Sequence, residues 1–161
     1  YKKQLVWSDK PRLQIFRGLI LLSANVCFFY AISIISLAKA LTLAFIAPLI
    51  VTAFSPILLG EKVGFRRWTA VTVGFIGSLI VIRPGFREFN LASMAALATG
   101  FFYGFYLIIT RKLSTSDNPL LTLLITGMVG AVLVSFIIPF YWVKPTLNQW
   151  SLMAGIGVLR A

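Results

Sequence analysis

Histidine is absent from this 161-residue chain, and its four acids are Asp9, Glu61, Glu88 and Asp117. All four lie in loops or at the ends of long apolar runs. No buried carboxylate pair, imidazole or metal-ligand cluster is therefore available, and acid–base and metal-assisted catalysis both need such groups. The chain is expected not to be an enzyme and to carry no metal and no cofactor. Its single cysteine, Cys27, can neither close an intramolecular disulfide nor build a multi-cysteine metal site.

What could recognise a solute is a sparse polar set at helical spacing. Thr99, Tyr103, Tyr106 and Thr110 follow steps of four, three and four, which put them on one side of a helix. Tyrosine there supplies an aromatic wall and a hydroxyl, a combination suited to a planar or amphipathic solute. Phe101, Phe102 and Phe105 take other directions, toward lipid or neighbouring helices. Further back, Asn25 is the lone amide in its apolar run, with Phe29 and Ser36 near the same stripe. The same residues also serve as interhelical hydrogen-bonding groups, and the sequence leaves both uses open.

The elements that carry these residues are five apolar runs: Gly18 to Ala38, Ala40 to Gly60, Val63 to Ile82, Leu91 to Ile109 and Leu120 to Trp142. A helix needs about 20 apolar residues to cross about 30 Å of hydrocarbon, and each run reaches or approaches that length. Composition agrees, with 59% hydrophobic and 12% charged residues; a soluble domain carries about a quarter charged. The expected fold is an all-α polytopic membrane protein of five transmembrane helices plus part of a sixth, which begins near Trp150. A net charge of +11 would suggest nucleic acid in a soluble protein. Here the basic residues sit at span ends, so nucleic acid is not the expected partner and the lipid bilayer is.

The basic residues also orient the chain, because cytoplasmic loops are enriched in Lys and Arg. Lys2, Lys3, Lys10, Arg12 and Arg17 precede the first run, Lys62, Arg66 and Arg67 follow the second, and Arg111 and Lys112 follow the fourth. The opposite loops hold Lys39, Arg83, Arg87 and Lys144, so ten face four and the N-terminal segment is expected inside. Tyr1 is not an initiator methionine and no signal-peptide pattern precedes the first run, which reads as the middle of a longer protein.

Pro48 and Pro56 lie inside the second run, where each frees a carbonyl four residues earlier, at Ala44 and Thr52. The helix is expected to break or loosen there, and such breaks at membrane depth go with a neighbouring polar group or a water-filled cavity, or are simple packing kinks. Small residues recur every fourth position in Ala70, Gly74 and Ser78, in Ala92, Ala96, Gly100 and Gly104, and in Gly127, Ala131 and Ser135. Such seams pack helices within one bundle or join two copies as a homodimer. Glu61 stands beside Lys62, Arg66 and Arg67, where it is expected to fix the turn or to act in gating. Arg160 falls ten residues after Trp150, about 15 Å along a helix and near the midplane. A charge there costs on the order of 2.5–3.5 kcal/mol on insertion scales, so it should face a cavity or an anionic group, or snorkel to an interface.

The stretch from Leu37 to Gly85 resembles the end of an EamA-type repeat of the drug/metabolite transporter superfamily. The resemblance rests on Leu37 and Ala38 before the second span, Pro48 within it, and Leu59-Gly60-Glu61 closing it. It continues in a short basic turn and a glycine-bearing third span that ends in Arg83-Pro84-Gly85. Leu91 to Leu113, with Gly-Phe-Phe-Tyr at its centre and Thr110-Arg111-Lys112-Leu113 at its close, resembles the opening helix of the second repeat. The family has ten helices in two inverted five-helix repeats. The resemblance thus implies a cytoplasmic basic loop over 1–17, the last three helices of repeat one over 18–85, an outside linker over 86–90, and the start of repeat two over 91–161.

The expected function is secondary transport of a small molecule by alternating access between the inverted repeats, in the cell membrane of a bacterium, as a multi-pass protein. The residues placed at the substrate are Asn25, Phe29, Thr52, Tyr103, Tyr106 and Arg160, with helix breaks at Pro48 and Pro56. The alternative is a non-transporting membrane scaffold or partner subunit that binds other helices through its glycine seams. Polar residues from several spans converging on a cavity would favour the carrier; their scattering over helix contacts would favour the scaffold.

Overall fold

A computed structural model describes residues 10–82, 90–114, 119–141, 146, 149–152 and 155. Arg160 lies outside them. Up to Tyr141 the described residues form these helices in order: α1 (Pro11–Ile32), α2 (Leu37–Ala44), α3 (Ala47–Leu59), α4 (Phe65–Ile82), α5 (Leu91–Leu113) and α6 (Pro119–Tyr141). Among the described residues, four segments are long and apolar enough to cross a membrane: Pro11–Ile32, Leu37–Leu59, Leu91–Leu113 and Pro119–Phe136. α4 has 18 residues, about 27 Å of helix.

Local signals set the ends. Pro11 opens α1 in the first helical turn, where a missing N–H costs nothing. Ser36 and Asn90 cap α2 and α5 with side chains that accept from Lys39 N and Ser93 N. Gly60 closes α3 with φ 68, the left-handed conformation that favours glycine.

α1 therefore begins at Pro11 rather than at Gly18. Counting apolar residues alone places Gln14 and Arg17 in a loop, whereas both lie inside the helix and are buried. The second span is two helices. The interruption at Phe45 and Ile46 comes just before Pro48, which lies in the first turn of α3. At Pro56 the expected break is absent: α3 runs through to Leu59. A proline deletes one backbone bond, and one lost bond near a helix end can be borne without a break.

By chain contacts the molecule has two units, 1–130 and 131–161. In the first, α5 is the hub, packed against α1, α2 and α3. α1 runs antiparallel to α5, so Ala31 and Ile35 meet Ala92 and Ala96 at one end, together with Ala40 and Leu43 of α2. At the other end the start of α1 meets the close of α5 and the start of α6, through bonds from Arg17 to Thr110 and Thr122. The second unit holds the rest of α6 and a further helical turn, where the Thr146 N–H donates to Gln149 Oε1 at 2.8 Å. That contact is the returning half of a capping box.

Only one of the three small-residue seams is packed tightly within the first unit. Ala92 and Ala96 are fully enclosed. A Cβ on Gly100 would stand 2.6 Å from the Ala44 carbonyl oxygen, and one on Gly104 would stand 2.9 Å from Ile50. At Gly74, Gly77, Gly127 and Gly130 a Cβ would meet nothing within 4 Å.

Polarity is turned inside out relative to a soluble protein. Thr42, Thr52, Ser55 and Ser93 are buried, while Ile57, Phe65, Val73 and Met128 are wide open. An apolar exterior is what lipid requires. The hydroxyls of Thr42, Thr52, Ser55 and Thr99 each donate to the carbonyl one turn back, at 2.6–3.0 Å, so hiding them leaves no polar group stranded.

Candidate functional site

A cavity of about 370 Å³ opens between α1, the α2–α3 break and α5, lined by Ala24, Asn25, Phe45, Pro48, Thr99 and Tyr103 among others. That volume falls within the range of small-molecule sites, which are mostly apolar with a few polar groups that fix orientation. The break itself shapes one wall. Pro48 frees the carbonyl of Ala44, and Gly100 lets α5 approach that oxygen closely enough for a Cα–H contact to face it.

Three polar side chains reach the cavity from α1 and α5. The Asn25 amide donates from Nδ2 to Leu21 O at 2.9 Å, which leaves Oδ1 as an acceptor. Thr99 donates to Ala95 O at 3.0 Å and keeps lone pairs for a ligand. The Tyr103 hydroxyl makes no hydrogen bond among the described residues, and the residue is 43% exposed. The site thus offers an aromatic face, a hydroxyl that can donate or accept, and an amide oxygen. No charged side chain lines it among the described residues. It suits a solute with a flat apolar body and one polar edge.

A larger cavity, about 570 Å³, lies between Leu13, Phe16, Leu58, Phe101, Phe105 and neighbouring side chains. Its polar groups are Ser23 and Lys112, and the Ser23 hydroxyl already donates to Leu19 O. Phe101 and Phe105 of its wall pack ring to ring at 4.8 Å, and Phe54 packs on Phe105 at 5.0 Å. Its chemistry is that of an acyl chain or a packing gap, so the smaller cavity is the candidate site.

Of the residues the sequence placed at a substrate, Asn25 and Tyr103 line the cavity, as does Pro48. Thr52 is buried, with its hydroxyl on Pro48 O at 2.8 Å. Phe29 is 65% exposed and meets Phe28 edge to face. Tyr106 stacks on Tyr103 with ring centres 5.7 Å apart, but its hydroxyl accepts from Arg17 Nη2 at 3.0 Å. Pro56 is not among the residues lining either cavity.

Arg17 is the residue that sequence reasoning missed. It is 1% exposed, six residues into α1 and so about 9 Å from its start. Its guanidinium donates to Thr110 Oγ1 at 2.7 Å, Thr126 Oγ1 at 2.8 Å, Tyr106 Oη at 3.0 Å, Thr122 O at 3.2 Å and Gln14 Oε1 at 3.5 Å. It also lies over the Tyr106 ring at 4.8 Å, a cation–π contact. A signal existed: Gln14 and Arg17 share a face at a spacing of three, as Thr122 and Thr126 do at four.

Glu61 pairs chiefly across helices. Its Oε1 is 2.9 Å from Arg111 at the close of α5, and Arg67 stands 4.0 Å away in α4. The Glu61 side chain is 32% exposed and that of Arg111 53%. Such pairs are worth about 0–1 kcal/mol. Glu61→Gln is expected to shift the thermal unfolding midpoint in detergent by no more than a degree or two, less still at high salt. A loss of several degrees would show that the pair holds the bundle.

Comparison with known proteins adds the family. Residues 2–83 match the model of the EamA-like transporter family. The chain is 34% identical over 131 residues to a riboflavin transporter of Vibrio cholerae, an alignment covering 76% of the chain and 42% of that protein. It is 26% identical over 157 residues to an S-adenosylmethionine uptake transporter of Rickettsia bellii, covering 98% of the chain and 54% of the relative. A pseudopaline exporter of Pseudomonas aeruginosa is 31% identical over 139 residues, covering 83% and 48%. The chain spans about half the length of the curated relatives it matches. No solved structure matches it.

Proposed function

The chain belongs to the EamA-like transporter family, and from that premise we propose that it forms part of a secondary carrier that moves a small metabolite by alternating access. The family is one of transporters rather than enzymes, and the chain is a multi-pass bacterial membrane protein. The observation that carries the proposal is the meeting of Asn25, Thr99 and Tyr103 at one cavity beside a broken helix. Broken helices at membrane depth are where carriers place their substrates. A scaffold that only binds other helices has no use for a cavity with an unengaged tyrosine hydroxyl.

The substrate class follows from the lining. With no charge among the described residues of the cavity wall, recognition by this part of the carrier rests on stacking against Tyr103 and on hydrogen bonds from its hydroxyl and from Asn25. Riboflavin and S-adenosylmethionine, named for the relatives, are the first solutes to test. Proteoliposomes loaded with either solute unlabelled should accumulate the same solute labelled, faster than protein-free liposomes, for at least one of the two. Counterflow needs no knowledge of direction or coupling ion. Rates equal to protein-free liposomes for both would remove these solutes and the substrate class with them.

A further inference from the structure

We propose that the Arg17 cage is the latch that closes one end of the carrier, and that the stacked Tyr103–Tyr106 pair connects the latch to the substrate cavity. The proposal rests on the carrier reading and adds the residues that gate it. Three observations lead to it.

The first is the make-up of the cage. A guanidinium that is 1% exposed has neutral oxygens for partners and no carboxylate among the described residues. The acceptors are oriented in advance. Thr110 and Thr126 send their own hydrogens to Tyr106 O and Thr122 O at 2.6 and 2.7 Å, which turns their lone pairs to Arg17. Gln14 sends Nε2 to Thr122 Oγ1 at 3.0 Å and keeps Oε1 for the same cation. Such a shell of neutral oxygens is a close substitute for water. Breaking a buried ion pair strands a charge, whereas trading these oxygens for water leaves the guanidinium solvated. A contact of this kind can hold a closed state and still release.

The second is its placement. The Thr110, Tyr106, Thr122 and Thr126 partners sit on α5 and α6, so separating α1 from those helices at this end must undo the cage. The far end of the α1–α5 pair is packed differently, by the apolar side chains of Ala31, Ile35, Ala92 and Ala96 with Ala40 and Leu43 of α2. A close apolar junction at one end and an exchangeable polar one at the other make a hinge and a latch. The cavity lies between them.

The third is the connection. Tyr103 lines the cavity and Tyr106 holds Arg17, and their rings stack at 5.7 Å with planes 25° apart. A solute that displaces the Tyr103 ring must move the Tyr106 ring that carries both the hydroxyl and the π face used by Arg17.

The test reads accessibility rather than transport. With Cys27 replaced by serine, a reporter V129C marks the latch end, because Val129 packs against Gly18 of α1. A second reporter, A95C, marks the hinge end, where Ala95 packs on the apolar cluster. Labelling by a membrane-impermeant maleimide is compared with Tyr106→Phe, which keeps the ring, and with Arg17→Lys, which keeps the charge. Each variant is expected to speed labelling at V129C at least fivefold, from the side on which α1 begins, and to leave A95C within twofold. Equal acceleration at both reporters would identify a purely structural cluster and overturn the latch, as would no change at V129C. If neither riboflavin nor S-adenosylmethionine is exchanged while V129C responds as expected, the latch stands and the substrate reading fails.

Discussion

Gly100→Leu is expected to prevent assembly of the bundle, and Gly100→Ala to weaken it. At Gly100 even a Cβ would lie 2.5 Å from Ile46 Cγ2 and 2.6 Å from the Ala44 oxygen. The oxygen is backbone, at the break between α2 and α3, and cannot rotate away as a side chain would. Overpacking of this kind costs about 1–3 kcal/mol for a modest insertion. Alanine recovers at most about 1 kcal/mol of helix propensity over glycine, so the balance is unfavourable for Gly100→Ala and much worse for leucine. Gly127→Ala is the matched control, since nothing stands within 4 Å there. Size-exclusion profiles and thermal midpoints in detergent should show Gly100→Leu aggregated, Gly100→Ala less stable than the parent, and Gly127→Ala unchanged or slightly better. A monodisperse, fully stable Gly100→Leu would mean that α5 does not approach the break as described.

The second large effect is expected at Tyr103. Tyr103→Phe removes only the hydroxyl, and a single hydrogen bond is worth about 0.5–1.5 kcal/mol, or roughly 3- to 10-fold in exchange rate. Tyr103→Ala also removes the aromatic wall and the partner of Tyr106, so its rate should fall by a further order of magnitude. Neither change should reduce the amount of folded protein, because Tyr103 is 43% exposed and its hydroxyl makes no hydrogen bond among the described residues. Phe29→Ala, on an outward ring, should exchange at the parent rate. Counterflow at equal protein per liposome measures all three. A Tyr103→Ala variant exchanging as fast as the parent would take the cavity out of the transport path.

Much of the fold can be read from hydropathy. The positions of the second to fifth runs agree with their helices to within a few residues, because a bilayer demands long apolar stretches and little else imitates them. The same argument misplaces the start of α1. Arg17 is charged and lies next to a basic segment, so a count of apolar residues ends the span at Gly18. Pro11 at the helix start and the spacing of Gln14 and Arg17 say otherwise, but both signals are weak alone. Tertiary partners decide the matter: Thr110, Thr122 and Thr126 come from helices distant in sequence.

The candidate site is legible in part for a related reason. Period places Thr99, Tyr103, Tyr106 and Thr110 on one face, yet that face meets different neighbours along its length. Thr99 and Tyr103 reach the cavity beside the break, while Tyr106 and Thr110 reach Arg17 one turn further on. Thr52 and Tyr103 look alike as isolated polar residues in apolar runs. Thr52 returns its hydroxyl to its own helix, and only the packing of α3 against α5 separates the two. The role of the glycine seams is likewise invisible in their spacing: the α5 seam meets the Ala44 and Ala47 carbonyls, whereas a Cβ at Gly74 or Gly127 would meet nothing within 4 Å among the described residues.

The central claim is that Asn25 and Tyr103 line a water-accessible path, and single cysteines test it most directly. With Cys27 replaced by serine, N25C and Y103C should react with a small membrane-impermeant thiol reagent, F29C should stay silent against lipid, and K62C should label as a loop control. Silence at both N25C and Y103C, with K62C labelled, would contradict the account and leave a dry bundle.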